Sequence, residues 1–197
     1  MNDNINYIAL AGGIATLVLI AVSIFVPWWQ FTVGNPTLAQ VNVSPMNLNF
    51  SLLGTAITIP IILAINIAAL LTMLSGGIAM IIYAIKPNKP YSKKILGFGY
   101  KKPLISVIVF IVGVIALVTL ANTLSGFNVP IVGASAMSLP SSMSPDGISI
   151  SVNVLAAFGW PFYFAIVASA ICIAARFYPK KTPLEVSVPA PAPSSPA

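Results

Sequence analysis

The chain has 197 residues, of which 58% are hydrophobic and only 6% are charged. Soluble domains carry about 25% charged residues, so this composition excludes a soluble globular protein and indicates a membrane protein. The chain has no histidine and one cysteine. This excludes bis-histidine haem, most zinc and copper sites, Ser-His-Asp catalysis, intrachain disulfides and a self-contained iron–sulfur cluster. We therefore expect no enzymatic activity, no cofactor and no metal site.

Four apolar stretches are long enough to cross a bilayer, which requires about 20 helical residues. The first ends before Pro27, whose ring is incompatible with a continuing helix. The second is too long for one span, so Pro60 is predicted to divide it, leaving residues 52–59 as an approach segment; strong helix tilt is the alternative. The third is predicted to follow Pro103, a favourable first-turn residue. The predicted spans are residues 7–26, 60–85, 104–124 and 159–177.

The nine Lys and Arg residues are confined to two segments of the chain. Six lysines lie within residues 86–102, and the other three cations follow the fourth span. The loops at residues 27–51 and 125–158 contain none. The positive-inside rule therefore predicts a multi-pass cell-membrane protein in which residues 86–102 and both termini are cytoplasmic. The first span lacks a basic n-region and a cleavage site, so we expect it to be an uncleaved anchor.

Side chains typical of membrane interfaces lie at both predicted boundaries. On the outer side, three tryptophans are predicted interface anchors: Trp28, Trp29 and Trp160. On the inner side, four lysines are predicted to contact anionic lipid headgroups: Lys93, Lys94, Lys101 and Lys102. The loop that contains these lysines is too short for the sheet of an RNA-binding module, so no nucleic-acid partner is expected.

Alternating apolar and small polar residues predict strands in both outer loops. Val152 and Val154 alternate with Ser151 and Asn153, downstream of the turn residues Pro145-Asp146-Gly147. We expect the two outer loops to form a small antiparallel sheet that caps the helices. Isolated strands are marginally stable, so these loops should pair with each other or with another subunit. Two asparagines in the first loop match the N-glycosylation pattern and are candidate acceptors: Asn42 and Asn49.

Asn66 is the most polar side chain within a predicted span. It is a candidate for an interhelical hydrogen bond, or alternatively for lining a pore or binding a solute. All three acidic residues lie outside the spans, which argues against a proton relay. Small residues such as Gly12-Gly13 and Gly76-Gly77 are expected to allow close helix packing.

Together these patterns predict an all-α membrane protein, a four-transmembrane-helix bundle with a small extracytoplasmic antiparallel β cap. Residues 1–178 form the predicted membrane domain. Residues 179–197 are rich in Pro, Ala and Ser and are predicted to be a disordered cytoplasmic tail.

The four spans, the cytoplasmic termini and an aromatic pair after the first span resemble the arrangement of claudin-type tetraspan proteins. The motif Pro27-Trp28-Trp29-Gln30-Phe31 is also similar to a PWW feature of uncharacterised archaeal four-span membrane proteins. The resemblance implies a left-handed four-helix bundle beneath an outer sheet, and it implies no catalytic residues.

The sequence therefore predicts a non-catalytic membrane protein, either an accessory subunit or a structural and interaction protein that acts through its outer loops. Its expected partners are the lipid bilayer and a second copy of itself or other membrane subunits. One alternative is a small-solute or ion pore or transporter, with Asn66 and the helix hydroxyls along its path. Another is a subunit of a redox or transport complex whose chemistry lies in other chains.

Overall fold

The structure, a computed structural model, describes residues 5–52, 55–57, 60–125, 128–138 and 151–178. Within them lie four α-helices that are long and apolar enough to cross a membrane. They are α1 (Tyr7–Phe25), α2 (Pro60–Ile85), α3 (Ser92–Ser125) and α4 (Trp160–Phe177). The strands are β1 (Trp29–Val33), β2 (Ala39–Ser44), β3 (Asn47–Leu52), β4 (Thr55–Ile57), β5 (Gly133–Ser138) and β6 (Ser151–Phe158). The predicted turn at residues 145–147 and the predicted tail lie outside the described residues.

Three of the helices begin and end close to the predicted residues. Asn6 caps α1, since its Oδ1 accepts a hydrogen bond from the Ala9 backbone N–H at 3.0 Å. The helix stops two residues before Pro27, and α2 begins at Pro60. Gly159 precedes α4, which carries a proline in its first turn, where the missing N–H costs no hydrogen bond.

The start of α3 corrects the prediction that this helix follows Pro103. The helix begins at Ser92 and contains Pro103, so residues 92–102 are helical rather than part of a connecting loop. Tertiary packing keeps the helix intact through the proline: Leu96 is buried in a cluster with Met80, and Gly99 lies so close to Met80 that a Cβ would approach within 2.9 Å. At 34 residues, α3 is about 51 Å long and exceeds the roughly 30 Å of a hydrocarbon core.

The strands form one antiparallel sheet in the order β4-β3-β2-β1-β6-β5. The central pair β1–β6 joins the two loops, with register partners from Trp29↔Phe158 to Val33↔Val154. The prediction that the two loops build one antiparallel sheet is thus confirmed. The predicted alternation is also confirmed in β6, where Val154 is buried and Ser151 and Asn153 are exposed.

Trp28 and Trp29 fill the core between the sheet and the helices, which corrects their predicted role as interface anchors. Trp28 is fully buried, donates from Nε1 to Ser23 Oγ at 2.7 Å and meets the Phe110 ring edge-on at 5.0 Å. Trp29 is 1% exposed, so neither indole can reach lipid. Trp160, by contrast, is 57% exposed, as an anchor requires.

The chain passes from β6 into α4 at the extended residue Gly159, close to the end of α1, which helps to explain why the Trp28 side chain is buried. The Gly159 backbone N–H donates to the Trp28 carbonyl at 2.9 Å. A Cβ at Gly159 would lie 2.5 Å from the Pro27 carbonyl oxygen, so only glycine fits there. The start of α4 therefore lies against the chain just after α1. The ring of Trp28 lies near the ring of Phe162 of α4.

The predicted small-residue helix contacts are confirmed. A Cβ on Gly13 would lie 3.0 Å from the Gly77 carbonyl oxygen, so α1 and α2 meet there backbone to backbone. Gly12 lies against Cys172 of α4, and Gly76 lies against Lys102 of α3. Each glycine faces a different neighbour, which lets the helices approach more closely than larger side chains would allow.

Candidate functional site

The sheet has two chemically different faces. Alternate residues of its strands point to opposite sides, so one set packs on the helices and the other faces away from them. The inward set is apolar and includes Trp29, Phe31, Val43, Val154 and Ala156. The outward set also contains the exposed Leu155 and Ala157, opposite Thr32 and Gln30. Most of its other side chains are amides and hydroxyls that are exposed or half-buried, and we call them the amide face: Gln30, Thr32, Gln40, Asn42, Ser151 and Asn153.

The amide face is ordered by strand register and by hydrogen bonds. Gln30 of β1 stands opposite Asn42 of β2, and Asn42 stands opposite residue 49 of β3. Gln40 Nε2 donates to Asn42 Oδ1 at 3.0 Å. Amide side chains supply both donors and acceptors, so this face can form hydrogen bonds with a partner without carrying a net charge.

Both predicted glycosylation acceptors therefore lie within the sheet. Asn42 is half-buried, and Ser44 of the same motif is buried and donates from Oγ to the Ser23 carbonyl at 2.9 Å. Asn49 lies in β3, in register with Asn42. Glycosylation at either position stays a prediction.

Every residue of the described strands is uncharged. The cations of the described chain lie at the opposite end of the helices: in the α2–α3 connection, in the first turns of α3 and at the end of α4. The three acidic residues lie outside the described ranges. Within the described ranges, the protein thus has an uncharged, hydrogen-bonding end and a cationic end.

The cationic end is built on the helical extension of α3. Lys93 and Lys94 occupy its first turn and are exposed, in a turn that carries no acidic residue. Lys101 is also exposed, and the half-buried Lys102 places its Nζ 4.8 Å from the centroid of the Phe98 ring. Cations at a helix N-terminus are disfavoured by the helix dipole, so an anion bound there would relieve this cost.

A second aromatic contact ties α4 to this extension. Arg176 Nη1 donates to the Tyr100 hydroxyl at 2.6 Å, and the guanidinium carbon lies 4.9 Å from the Tyr100 ring centroid. Arg176 is therefore held beside the exposed lysines of α3.

Asn66 lines an apolar groove between α2 and α3, with a volume of about 460 Å³. Residues 43–45, at the end of β2 and the turn that follows it, also line the groove. The Asn66 amide makes no hydrogen bond to the described residues. The predicted interhelical hydrogen bond of Asn66 is therefore not seen among them.

Two hydroxyl residues, Thr72 and Ser106, line the groove together with Asn66. Five other helix hydroxyls donate to a carbonyl of their own helix, at distances between 2.6 and 2.9 Å: Thr16, Ser23, Ser75, Thr119 and Thr123. Such bonds satisfy the hydroxyl locally and leave its helix surface apolar. The pore alternative stays a prediction.

Compared with known proteins, the chain matches no protein-family model and no curated protein sequence. The resemblance to claudin-type and archaeal four-span proteins therefore stays a prediction.

Proposed function

We propose that this chain is a non-catalytic protein of the cell membrane that acts as a structural or interaction subunit through its sheet. The four apolar helices cross the bilayer, both termini and the lysines lie in the cytoplasm, and the sheet lies outside. The uneven distribution of positive charge supports this orientation. A claudin-like, tetraspan role in which neighbouring copies associate outside the membrane fits the same arrangement.

The amide face is the observation that carries this proposal. A twofold-symmetric contact requires a surface that is complementary to itself. Amide and hydroxyl groups meet this requirement because each can pair with its own kind, and no like charges oppose one another across the contact. The partner that fits this face best is therefore a second copy of the chain. A different membrane subunit with a similarly neutral surface would give the accessory-subunit role.

The cationic end binds the other partner, the anionic headgroups of the inner leaflet. Each Lys or Arg near an anionic membrane surface contributes roughly 1 kcal/mol of attraction. The exposed Lys93, Lys94 and Lys101 are held on a rigid helix, with Lys102 beside them. Their contact with lipid phosphates would both fix the orientation of the chain and offset the unfavourable charge at the start of α3.

Cysteine cross-linking in native membranes tests the proposed association. The native Cys172 is fully buried, so an introduced cysteine on the surface would react alone. We expect Gln30→Cys and Asn153→Cys to give covalent dimers with a short bis-maleimide. The matched control is Lys93→Cys, at an exposed position of the cationic end, where a thiol can ionise, and this variant should stay monomeric.

Two other results would change the proposal. Dimers from Lys93→Cys with none from the two sheet variants would place the contact at the cationic end. Cross-linking of the sheet variants to a different chain of fixed stoichiometry would assign the accessory-subunit role instead of self-association.

A further inference from the structure

The groove between α2 and α3 has an apolar rim and a buried apolar floor. The rim residues Ile65, Ile105 and Val109 are 62%, 49% and 63% exposed, so the groove opens sideways onto the surface of the bundle. Its floor is formed by Met73 and Phe110, which are 1% and 5% exposed. A groove that opens from the side of apolar helices admits molecules from the bilayer rather than from water.

Two polar groups inside the groove lack strong partners. The half-buried Asn66 amide makes no hydrogen bond within the described ranges. Ser106 Oγ is paired only with Met73 Sδ, at 3.2 Å, and a thioether is a weak acceptor. Polar groups left unpaired in hydrocarbon are costly, so a ligand that brings an oxygen to them would be favoured.

The groove has the size and shape of a slot for an elongated ligand. Its lining on α2 runs over residues 65–73, about 12 Å of helix, and its volume is about 460 Å³. Ligand pockets have volumes of about 300–1,000 Å³. A flexible hydrocarbon chain that lies along α2 and α3 matches this elongated apolar slot.

The position of Asn66 indicates which part of a lipid would meet it. Pro60 begins α2 beside the sheet, and Asn66 follows about 9 Å further along the helix. This is shallow relative to a core of about 30 Å, near the depth at which the glycerol linkages of one leaflet give way to their chains. Every lining residue is uncharged, as expected for a site that takes the neutral part of a lipid.

We propose that the groove between α2 and α3 is a binding site for a membrane lipid. The hydrocarbon chain fills the slot, and an oxygen of the glycerol linkage accepts a hydrogen bond from Asn66 Nδ2. This inference rests on the membrane insertion given under the proposed function, but not on the association of the sheets.

Photolabelling of the full-length chain in micelles of a detergent, with no other lipid present, tests the site. The probe is a phosphatidylcholine with a diazirine in one acyl chain, and the labelled residues are mapped by mass spectrometry. We expect labelling of Ile65 and Val109 to saturate as the probe fraction in the micelle rises. Labelling of Ile166 and Val167 on α4, which are 44% and 53% exposed, should rise linearly because they meet only the bulk of the micelle.

Three variants separate the site from general contact with lipid. Ala69 lines the groove, and Ala69→Phe should fill the slot and abolish the saturable labelling. The matched control is Ala64→Phe, at an exposed position of the same helix outside the groove, which should label like the wild type. Asn66→Leu should raise the half-saturating probe fraction roughly threefold to tenfold, the loss expected for one hydrogen bond.

The possible failures are distinguishable. Linear labelling of both surfaces, or saturation that survives Ala69→Phe, would overturn the lipid site while leaving the helices in contact with apolar surroundings. A groove labelled less than α4 would also overturn it, in favour of a protein occupant. Absence of label on every helix would overturn membrane insertion and with it the proposed function.

Discussion

Gly13 is the position at which a single methyl group tests the close contact of α1 and α2. In Gly13→Ala the new Cβ would lie 2.7 Å from Ile81 Cγ1 and 3.0 Å from the Gly77 carbonyl oxygen. The isoleucine can turn away, but the carbonyl belongs to the backbone of α2, so the helices must separate. Overpacking of this kind costs about 1–3 kcal/mol, against which alanine gains about 1 kcal/mol in helix propensity. We expect a net loss of up to about 2 kcal/mol, and a loss of about 1–3 kcal/mol relative to a glycine-to-alanine change without overpacking.

The matched control is Gly113→Ala in α3, where a Cβ would meet nothing within 4 Å. This variant should be as stable as the wild type or gain up to about 1 kcal/mol. The native Cys172 is buried, so a thiol-reactive fluorescent dye reports unfolding during heating in detergent. A difference of about 1–3 kcal/mol should place the unfolding temperature of Gly13→Ala about 2–12 °C below that of Gly113→Ala. Equal unfolding temperatures for both variants would refute the backbone contact.

Three further predictions concern the core, the cationic end and the sheet. Ser23→Ala leaves the buried Trp28 N–H unpaired and should cost about 1–3 kcal/mol, whereas Ser75→Ala should stay within about 0.5 kcal/mol; equal dye-unfolding temperatures would contradict this. Replacing four lysines by glutamine should abolish the enrichment of anionic over neutral lipid in the purified protein. These lysines are Lys93, Lys94, Lys101 and Lys102. An unchanged ratio of anionic to neutral lipid would exclude the headgroup contact. Cross-linking through Gln30→Cys should be insensitive to salt because the described strands carry no charge, and loss of dimers at high salt would contradict an uncharged contact.

The ends of most helices could be predicted because proline acts locally. Pro27 and Pro60 mark a helix end and a helix start regardless of what surrounds them. Pro103 has the same local chemistry, yet α3 runs through it, because Leu96 and Gly99 pack against α2 on the preceding turns. That packing depends on which helices are neighbours, which the local pattern does not reveal.

The candidate surfaces were only partly predictable for the same reason. Tryptophans beside a span usually lie at the interface, but Trp28 and Trp29 are buried because the sheet and the helices pack around them in one core. The amide face was missed, although Gln30 and Thr32 alternate with apolar neighbours in a pattern that could have shown it. Alternation over five residues identifies a strand, but the register with β2 and β6 is what brings its polar side chains together.

The most direct test of the account is the side of the membrane on which each end of the protein lies. Gln30→Cys and Lys93→Cys each place a thiol at an exposed position, one on the sheet and one on the first turn of α3, while the buried Cys172 stays silent. A membrane-impermeant maleimide applied to intact cells should label Gln30→Cys at once and Lys93→Cys only after permeabilisation. Labelling of Lys93→Cys in intact cells would contradict the orientation and the roles proposed for both surfaces.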